Sequence, residues 1–210
     1  MKNKVVVLRR VLSIFYNWFR PIRVYGSNNI IKRESSLGEN FHIFVNGKNN
    51  NVTIGHNCVL TNTSINMTGN NNSLIIEDDV RFMGPCKIII MGGGTLHIKK
   101  NAGIRGVEFN INEAKVLIGE RCMFSYGITV RNHDSHKIIN SEGEVVNKPR
   151  DIVLGNHVWI AQNAIILKGC CIGEDSVIGF GAIVTKSCAK GTVMTGVPAR
   201  PVKEGITWDY

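Results

Sequence analysis

The sequence has 210 residues, of which 43% are hydrophobic and 20% are charged, a composition typical of one compact domain and unlike collagen-like or wholly disordered chains. The formal net charge is +9, but eight basic residues and no acidic residue fall within the first 33, which leaves the rest of the chain nearly neutral. A nucleic-acid-binding surface on the body of the protein is therefore excluded. The six cysteines are spread over a mid-sized chain, which favours a reducing, cytoplasmic location over a disulfide framework. They form no C-x-x-C pair, which gives no support to a structural zinc site.

The first predicted element is an amphipathic helix at residues 5–20, within a basic segment that spans residues 1–25. On a helix, most of its apolar side chains share one face, its arginines and polar residues take the other, and Pro21 ends the helix. The apolar run is shorter than the roughly 20 residues that span a bilayer, and Arg9 and Arg10 interrupt it. Two interpretations stay open: contact with the inner face of a membrane, or packing on the domain or on a neighbouring subunit.

A period of six residues dominates the sequence between residues 154 and 188. An aliphatic residue recurs at every sixth position, and a small or short side chain follows each of them four positions later. The first set is Leu154, Ile160, Ile166, Ile172, Ile178 and Val184, and the second is Val158, Ala164, Cys170, Ser176, Ala182 and Cys188. Because six fits neither a helix nor a single strand, the pattern predicts an all-β fold, a parallel β-helix with the aliphatic side chains inside and the small ones at its corners.

Looser copies of the same pattern precede these hexads. They end at Ile54, Ile76, Ile98 and Ile118. Their spacing predicts coils of about three hexads, and the longer step to Leu154 predicts an insertion. The Asn-rich stretch 46–72 is expected to form turns, because asparagine tolerates the left-handed backbone conformation. We therefore assign the β-helix domain to residues 26–203 and a C-terminal tail to residues 204–210.

The period fails between Val130 and Ile152. The intervening segment 131–151 is polar, carries two histidines and has no pattern of core residues. It is expected to leave the β-helix as a projecting loop, and loops on a rigid scaffold are where chemistry is usually placed.

Three phrases in the second half of the chain resemble the hexapeptide-repeat acyltransferases, in particular the sugar O-acetyltransferases of surface-polysaccharide pathways. These are DIVLGNHVWIAQNAIILKG, CIGEDSVIGFGAIVTKS and TGVPARPVK. The resemblance is strong over residues 152–203, weaker over 52–130 and absent from 1–25. It implies a left-handed β-helix, a homotrimer, acetyl-CoA as the acyl donor bound between adjacent subunits, and a saccharide acceptor, with no metal.

The loop contains the phrase D-S-H-K-I, which resembles the one that supplies the family's catalytic histidine and places it at His136. Imidazole, with a pKa near ~6.5, is well suited to take the proton of an alcohol as it attacks a thioester. A carboxylate on the second ring nitrogen would fix the tautomer, and Asp134 can take this role only if the loop folds back toward the ring. His133 is the rival base, and a third interpretation makes both histidines exposed loop residues without a catalytic role.

The resemblance also implies a set of residues that bind the acetyl donor. The set is Trp159, Ala161, Gly179, Ala182, Thr185, Lys186, Arg200 and Lys203. Trp159 is expected beside the site of acetyl transfer, residues 181–186 along the pantetheine arm, and Arg200 and Lys203 at the phosphates. Ala161 stands where the family usually has glycine. The other interpretations are that Trp159 packs on a neighbouring subunit and that the cations are solvated.

The leading functional hypothesis is direct transfer of an acetyl group from acetyl-CoA to a sugar hydroxyl, since no cysteine or serine of the loop has the surroundings of an activated nucleophile. N-acetylation of an amino sugar or nucleotide sugar is the first alternative. A zinc hydrolase on the same scaffold would need several converging histidines. A catalytically silent scaffold or lipid-bound adaptor is the alternative from another class.

Overall fold

The computed structural model describes residues 22–209, and all regular structure in that range is β. The strands follow one another in coils, and successive coils add strands to three sheets, which we call A, B and C. The pairing is parallel throughout except for the last strand of sheet C, which is antiparallel to its neighbour. The predicted parallel β-helix is confirmed. The amphipathic helix expected at residues 5–20 and its membrane contact lie outside the described residues.

Sheet A contains β1 (Ile22–Tyr25), β4 (His42–Asn46), β7 (Thr63–Thr68), β10 (Cys86–Met91), β13 (Val107–Asn112), β16 (Ile128–Arg131), β19 (Ile165–Leu167) and β22 (Ile183–Val184). Sheet B contains β2 (Ile30–Arg33), β5 (Asn51–Ile54), β8 (Ser73–Ile76), β11 (Thr95–Ile98), β14 (Lys115–Ile118), β17 (Ile152–Leu154) and β20 (Cys171–Ile172). Sheet C contains β3 (Leu37–Glu39), β6 (Val59–Thr61), β9 (Arg81–Phe82), β12 (Gly103–Ile104), β15 (Met123–Phe124), β18 (Trp159–Ile160), β21 (Val177–Ile178), β23 (Val193–Gly196) and β24 (Ala199–Lys203).

The coils stack so that the repeated aliphatic residues lie directly above one another. Sheet B aligns Ile54, Ile76, Ile98, Ile118, Leu154 and Ile172 in one register, and each is at most 1% exposed. The core is thus a column of aliphatic side chains that runs the length of the β-helix, as the six-residue period predicts. The β-helix begins at β1, so residues 22–25, which the sequence pattern groups with the basic N-terminal segment, belong to it.

The corners between sheets use left-handed backbone conformations. Thirteen non-glycine residues in the described range have a positive φ, and eight of them are asparagine. Asparagines also stack from coil to coil: the side chain of Asn72 donates to Asn50 (2.9 Å), and that of Asn50 donates to Asn29 (3.0 Å). The expectation that the Asn-rich stretch forms turns is confirmed, and the corner side chains give their neighbours hydrogen bonds that strands cannot supply there.

No stretch of residues 22–209 forms a helix of the length and apolarity that crossing a membrane requires.

Candidate active site

The coil is interrupted after β16, where residues 132–151 leave the corner between sheets A and B before β17 resumes. At the neck of this loop, the Arg150 N–H donates to the Asn132 carbonyl (3.0 Å). Farther out, Ile139 and Val145 form an antiparallel bridge. Between them, the Asn140 side chain accepts the N–H groups of Glu142 and Glu144 (3.0 and 2.9 Å). The segment that the failed period marks as an insertion is therefore a short hairpin with its own hydrogen bonds.

A cluster of three side chains fixes the loop to the next coil. Lys168 follows β19 and lies one position past the Arg131–Leu167 pair, beside the point where the loop leaves. Its ammonium group donates to the Asp134 carboxylate (2.5 Å) and to the Asn147 carbonyl (2.8 Å), and the Asn147 amide donates to the same carboxylate (2.8 Å). These bonds from Lys168 and Asn147 lower the pKa of the Asp134 carboxyl. We call Asp134, Asn147 and Lys168 the loop clasp.

The clasp determines where His136 lies. The Asn147 amide donates to the His136 carbonyl (2.8 Å), and its oxygen accepts the Ile138 N–H (2.7 Å), so the backbone on both sides of Lys137 is fixed. Lys168 and Asn147 bind the Asp134 carboxylate in this structure, and no hydrogen bond joins that carboxylate to the His136 ring. Asp134 therefore holds the loop here, and its role in orienting the imidazole stays a prediction.

The two histidines differ sharply in their surroundings. His133 is 7% exposed, and its ring nitrogens contact the Asn110 side chain (Nε2, 2.8 Å) and the Asp134 carbonyl (Nδ1, 3.0 Å). His136 is exposed, and no group within residues 22–209 hydrogen-bonds its ring. His133 therefore has the contacts of a structural histidine, whereas His136 has a ring that an incoming hydroxyl can reach.

Trp159 begins β18 and points outward from sheet C, where it is 39% exposed. It forms a pocket of about 250 Å³ with Arg105, Met123, Ser125 and two residues near the C-terminus, Trp208 and Asp209. The two indole rings lie 6.0 Å apart at 45°. That Trp159 lies beside the site of acetyl transfer stays a prediction, and its exposed position at this pocket is compatible with it.

The remaining donor-site candidates lie around the corner between sheets C and A and at the end of the β-helix. Ala161 and Gly179 are half-buried in successive coils, and their N–H groups donate to the Ile178 and Met194 carbonyls (both 2.8 Å). Ala182 is 0% exposed, and its N–H bonds to the Gly179 carbonyl (3.2 Å), so neither its side chain nor its amide is available to a ligand. Ala182 is thus a buried corner residue, which corrects the expectation that it contacts the acetyl donor.

Thr185 and Lys186 are exposed just after β22, which is the last strand of sheet A. The outer edge of a terminal strand has backbone groups that no neighbouring strand pairs. Of the stretch 181–186, the end near Thr185 is therefore the part best able to meet an extended chain such as pantetheine.

Arg200 and Lys203 lie on β24, which pairs antiparallel with β23. On a regular strand, residues three apart point to opposite faces. Here a register shift pairs Arg200 with Thr195 but Lys203 with Val193, two positions along the partner strand. Paired residues share a face of a sheet, so the irregularity brings both cations to the outer face. Both are exposed, and the Arg200 guanidinium also donates to the Ala199 carbonyl (2.9 Å).

The structure does not bring His136 and Trp159 together within one chain. The His136 loop leaves from the corner between sheets A and B, and sheet C, which carries Trp159, is the side opposite that corner. Each half of the candidate site is therefore formed, but the two halves lie on different sides of the β-helix.

The sequence pattern missed several of the residues that build the site: Arg105, Asn110, Asn147, Lys168 and Trp208. Lys168 is a lone cation within the hexads, and Trp208 lies in the tail, where no period extends. A tryptophan in a polar tail was a signal in itself, since a large aromatic side chain usually packs. Across residues 22–209, no three His, Cys, Asp or Glu side chains group closely enough to hold a metal ion.

Comparisons with known proteins identify the same six-residue repeat, and the matches to individual proteins extend over more of the chain. The family profile "Bacterial transferase hexapeptide (six repeats)" matches residues 151–186. The chain is 39% identical over 188 residues to the polysialic acid O-acetyltransferase of Neisseria meningitidis, which covers 87% of this chain and 86% of that protein. It is 34% identical over 114 residues to the galactoside O-acetyltransferase of Escherichia coli (strain K12), covering 53% of this chain and 55% of that protein.

Among solved structures, the polysialic acid O-acetyltransferase OatWY superposes with a TM-score of 0.85 at 36% identity, over 90% of this chain and 91% of that one. A match that spans 87% of the chain extends across the loop at 132–151. The similarity therefore covers both the β-helix and the segment that carries His136.

Proposed function

We propose that this chain, which belongs to the hexapeptide-repeat family of sugar O-acetyltransferases, transfers an acetyl group from acetyl-CoA to a hydroxyl group of a saccharide in surface-polysaccharide biosynthesis. The observation that carries the proposal is the 39% identity to a polysialic acid O-acetyltransferase over most of both chains. Two of the similar proteins act on sugars, one on polysialic acid and one on galactosides. A saccharide hydroxyl is the acceptor chemistry that these names share.

His136 is the proposed general base. Its ring is exposed and makes no hydrogen bond within residues 22–209, so a ring nitrogen can accept the proton of the sugar hydroxyl as that oxygen attacks the thioester carbonyl. The same imidazole then gives the proton to the departing thiolate. His133 keeps the loop in place through Asn110, which supports the choice of His136 made from the motif.

Transfer is proposed to be direct, without an acyl-enzyme intermediate. A covalent route would need a nucleophile with a lowered pKa. Burial instead raises the pKa of Cys58, Cys86 and Cys170 to about 11 and that of Cys122 to about 12. These thiols are therefore unsuited to attack the thioester, and direct transfer in a ternary complex of donor and acceptor is the proposed route.

The residues at the end of the β-helix suit acetyl-CoA, which would supply the acetyl thioester. Arg200 and Lys203 share the outer face of β24 and can contact phosphate groups together. The open edge of β22 at Thr185 offers backbone groups to the pantetheine arm. Ala161 and Gly179 have small side chains or none, so they leave room for the donor beside Trp159.

A homotrimer is proposed because one chain does not complete the site. The His136 loop and Trp159 lie on different sides of the β-helix, so a neighbouring subunit is needed to place a loop against the sheet C face. A cytoplasmic location, with contact of residues 5–20 to the inner face of the membrane, stays a prediction.

The test measures CoA release from acetyl-CoA with a panel of acceptors: sialic acid oligomers, galactosides and an amino sugar. Release with a hydroxyl acceptor, and mass analysis that locates the acetyl ester on oxygen, is the expected result. Acetylation of the amine only would establish the N-acetyltransferase alternative, and no release with any acceptor would favour the silent scaffold. Light scattering on the same sample gives the oligomeric state, for which a monomeric mass with full activity contradicts the trimer.

A further inference from the structure

The last described residues do not extend into solvent but return along the corner between sheets B and C. The Ile206 N–H donates to the Gly191 carbonyl (3.0 Å), the Thr207 hydroxyl to the Asp175 carboxylate (3.2 Å), and the Trp208 indole N–H to the His157 carbonyl (2.7 Å). We call residues 206–209 the C-terminal strap. Its three anchors belong to three successive coils, so the strap runs antiparallel to the direction in which the coils rise.

The anchors are corner residues with unusual side chains. His157 and Asp175 both adopt a positive φ, at the corner position that Asn57 and Asn101 occupy in earlier coils. Their side chains pair (Nδ1 to Oδ1, 2.7 Å), and this hydrogen bond lowers the pKa of the Asp175 carboxyl. The His157 ring in turn stacks on the Trp208 ring, with centroids 4.1 Å apart and an interplanar angle of 11°. The corner is thus built to hold one indole in a defined orientation.

The indole that is held in this way lines the pocket of Trp159. The two indole rings are tilted against each other and form two walls of the pocket. Arg105, Ser125 and Asp209 add a cation, a hydroxyl and a carboxylate to the lining of the same space of about 250 Å³. A pyranose ring has apolar C–H faces that stack on aromatic rings and a rim of hydroxyl groups that bond to polar side chains. This volume, below the roughly 300–1,000 Å³ of pockets for drug-sized ligands, suits about one sugar ring.

The pocket also lies on the correct side of Trp159 for an acceptor. It extends from Trp159 toward the coils of Met123 and Arg105, which precede it along the chain. The residues assigned to the donor, Gly179 and Arg200 among them, lie in the coils that follow. Donor and acceptor would therefore approach Trp159 from opposite directions along the β-helix.

We propose that Trp208 is a specificity-determining residue: it forms the stacking wall of the subsite that binds one sugar ring of the acceptor saccharide, and the C-terminal strap holds it there. The inference rests on the proposed function for the identity of the acceptor as a saccharide. It assigns a role to a segment that lies beyond residues 152–203, where the sequence resemblance is strong.

The test compares Trp208→Ala and Trp208→Phe with the wild-type full chain. In assays of CoA release, Trp208→Ala is expected to raise the KM for the acceptor by about 5–20-fold, with little change in kcat or in the KM for acetyl-CoA, because lost stacking weakens uniform binding of one substrate. Trp208→Phe is expected to recover most of the loss. Tyr25→Ala removes an exposed aromatic side chain from the first coil, remote from the pocket, and is expected to change neither KM.

A binding titration separates this inference from the proposed function. Sialic acid oligomers and galactosides are added without acetyl-CoA, and tryptophan fluorescence reports binding whether or not transfer follows. Saccharide binding that Trp208→Ala weakens supports the inference even if no acetyl transfer occurs. Unchanged saccharide binding, an effect confined to the KM for acetyl-CoA, an effect confined to thermal stability, or no binding of any saccharide by the wild type would each overturn it.

Discussion

In the walls of the β-helix, backbone groups bond to the next coil and inward side chains stack on their counterparts, whereas in the loop at 132–151 a few individual side chains supply the order. The wall at Ile98 repeats at Ile76 and Ile118, so neighbouring coils share its contacts. The clasp formed by Asp134, Asn147 and Lys168 has no such copies. The difference predicts that substitutions of buried side chains in the wall lower stability and that substitutions of exposed side chains in the loop lower activity.

The largest expected effect is on turnover, in the loop. His136→Ala removes the proposed base, and we expect kcat to fall by about 10²–10⁴-fold, the usual contribution of general base catalysis. Because the ring makes no hydrogen bond within the described residues, thermal unfolding should be unchanged, and so should the KM for acetyl-CoA. Steady-state CoA release and a thermal melt measure both.

His133→Ala is the matched comparison. It removes a buried ring that contacts Asn110 and the Asp134 carbonyl, and an unsatisfied buried group costs about 1–3 kcal/mol. The melting temperature should therefore fall in this variant and not in His136→Ala. Full turnover by His136→Ala together with none by His133→Ala would assign the base to His133.

In the wall, Ile98→Ala is expected to lower the free energy of unfolding by about 2–5 kcal/mol, the range for deleting a buried aliphatic side chain. Ile98 is 0% exposed between two other isoleucines, and the rigid stack limits collapse around the cavity. The specific activity of the protein that remains folded should stay near that of the wild type. A large loss of kcat without a loss of stability would refute the division between wall and loop.

The same division explains how much could be predicted from the sequence. A residue such as Ile166 is one of six in phase, so the period alone places it in the core, and the structure confirms this. Lys168 and Asn147 contact Asp134 because the chain leaves and re-enters the coil at one corner. No spacing of residues in the sequence indicates that these three side chains come together. Family resemblance pointed to His136, but no spacing in the sequence predicted that Lys168 and Asn147 bind the Asp134 carboxylate.

The next expected effect tests the end of the wall, where the register shift in β24 brings two cations to one face. Arg200→Ala with Lys203→Ala should raise the KM for acetyl-CoA by roughly 10–100-fold, because charge-assisted contacts to phosphate contribute about 1.5–3 kcal/mol when partly desolvated. The value of kcat at saturation should hardly change, as expected for lost uniform binding. Equal discrimination between CoA and dephospho-CoA before and after the change would mean that the two side chains are only solvated charges.

A smaller effect is expected from the clasp. Lys168→Met keeps the length of the side chain but removes the ammonium group from the Asp134 carboxylate and the Asn147 carbonyl. We expect kcat to fall by about 10-fold, since even slight misplacement of a base slows proton transfer, with the KM for acetyl-CoA unchanged. Lys168→Arg should restore part of the rate. Lys100→Met, which breaks the exposed pair with Glu120 (3.7 Å) in a wall corner, is the control and should leave kcat unchanged.

The smallest effect concerns pH. The Lys168 ammonium and the Asn147 amide lower the pKa of the Asp134 carboxyl, so the folded loop binds this proton less readily than the unfolded chain does. The clasp therefore makes its full contribution to the free energy of unfolding above the pKa of the unfolded chain, near ~3.9. That contribution is lost as the pH falls through the lower pKa of the folded protein. The Asp134 side chain is 46% exposed, so solvent screening keeps the change small. Carboxyl-carbon NMR across this range should show a pKa for Asp134 that is lowered in the wild type and moves back toward ~3.9 in Lys168→Met. An identical titration in the two proteins would mean that Lys168 does not hold this carboxylate in solution, and the explanation for the position of His136 would then have to come from Asn147 alone.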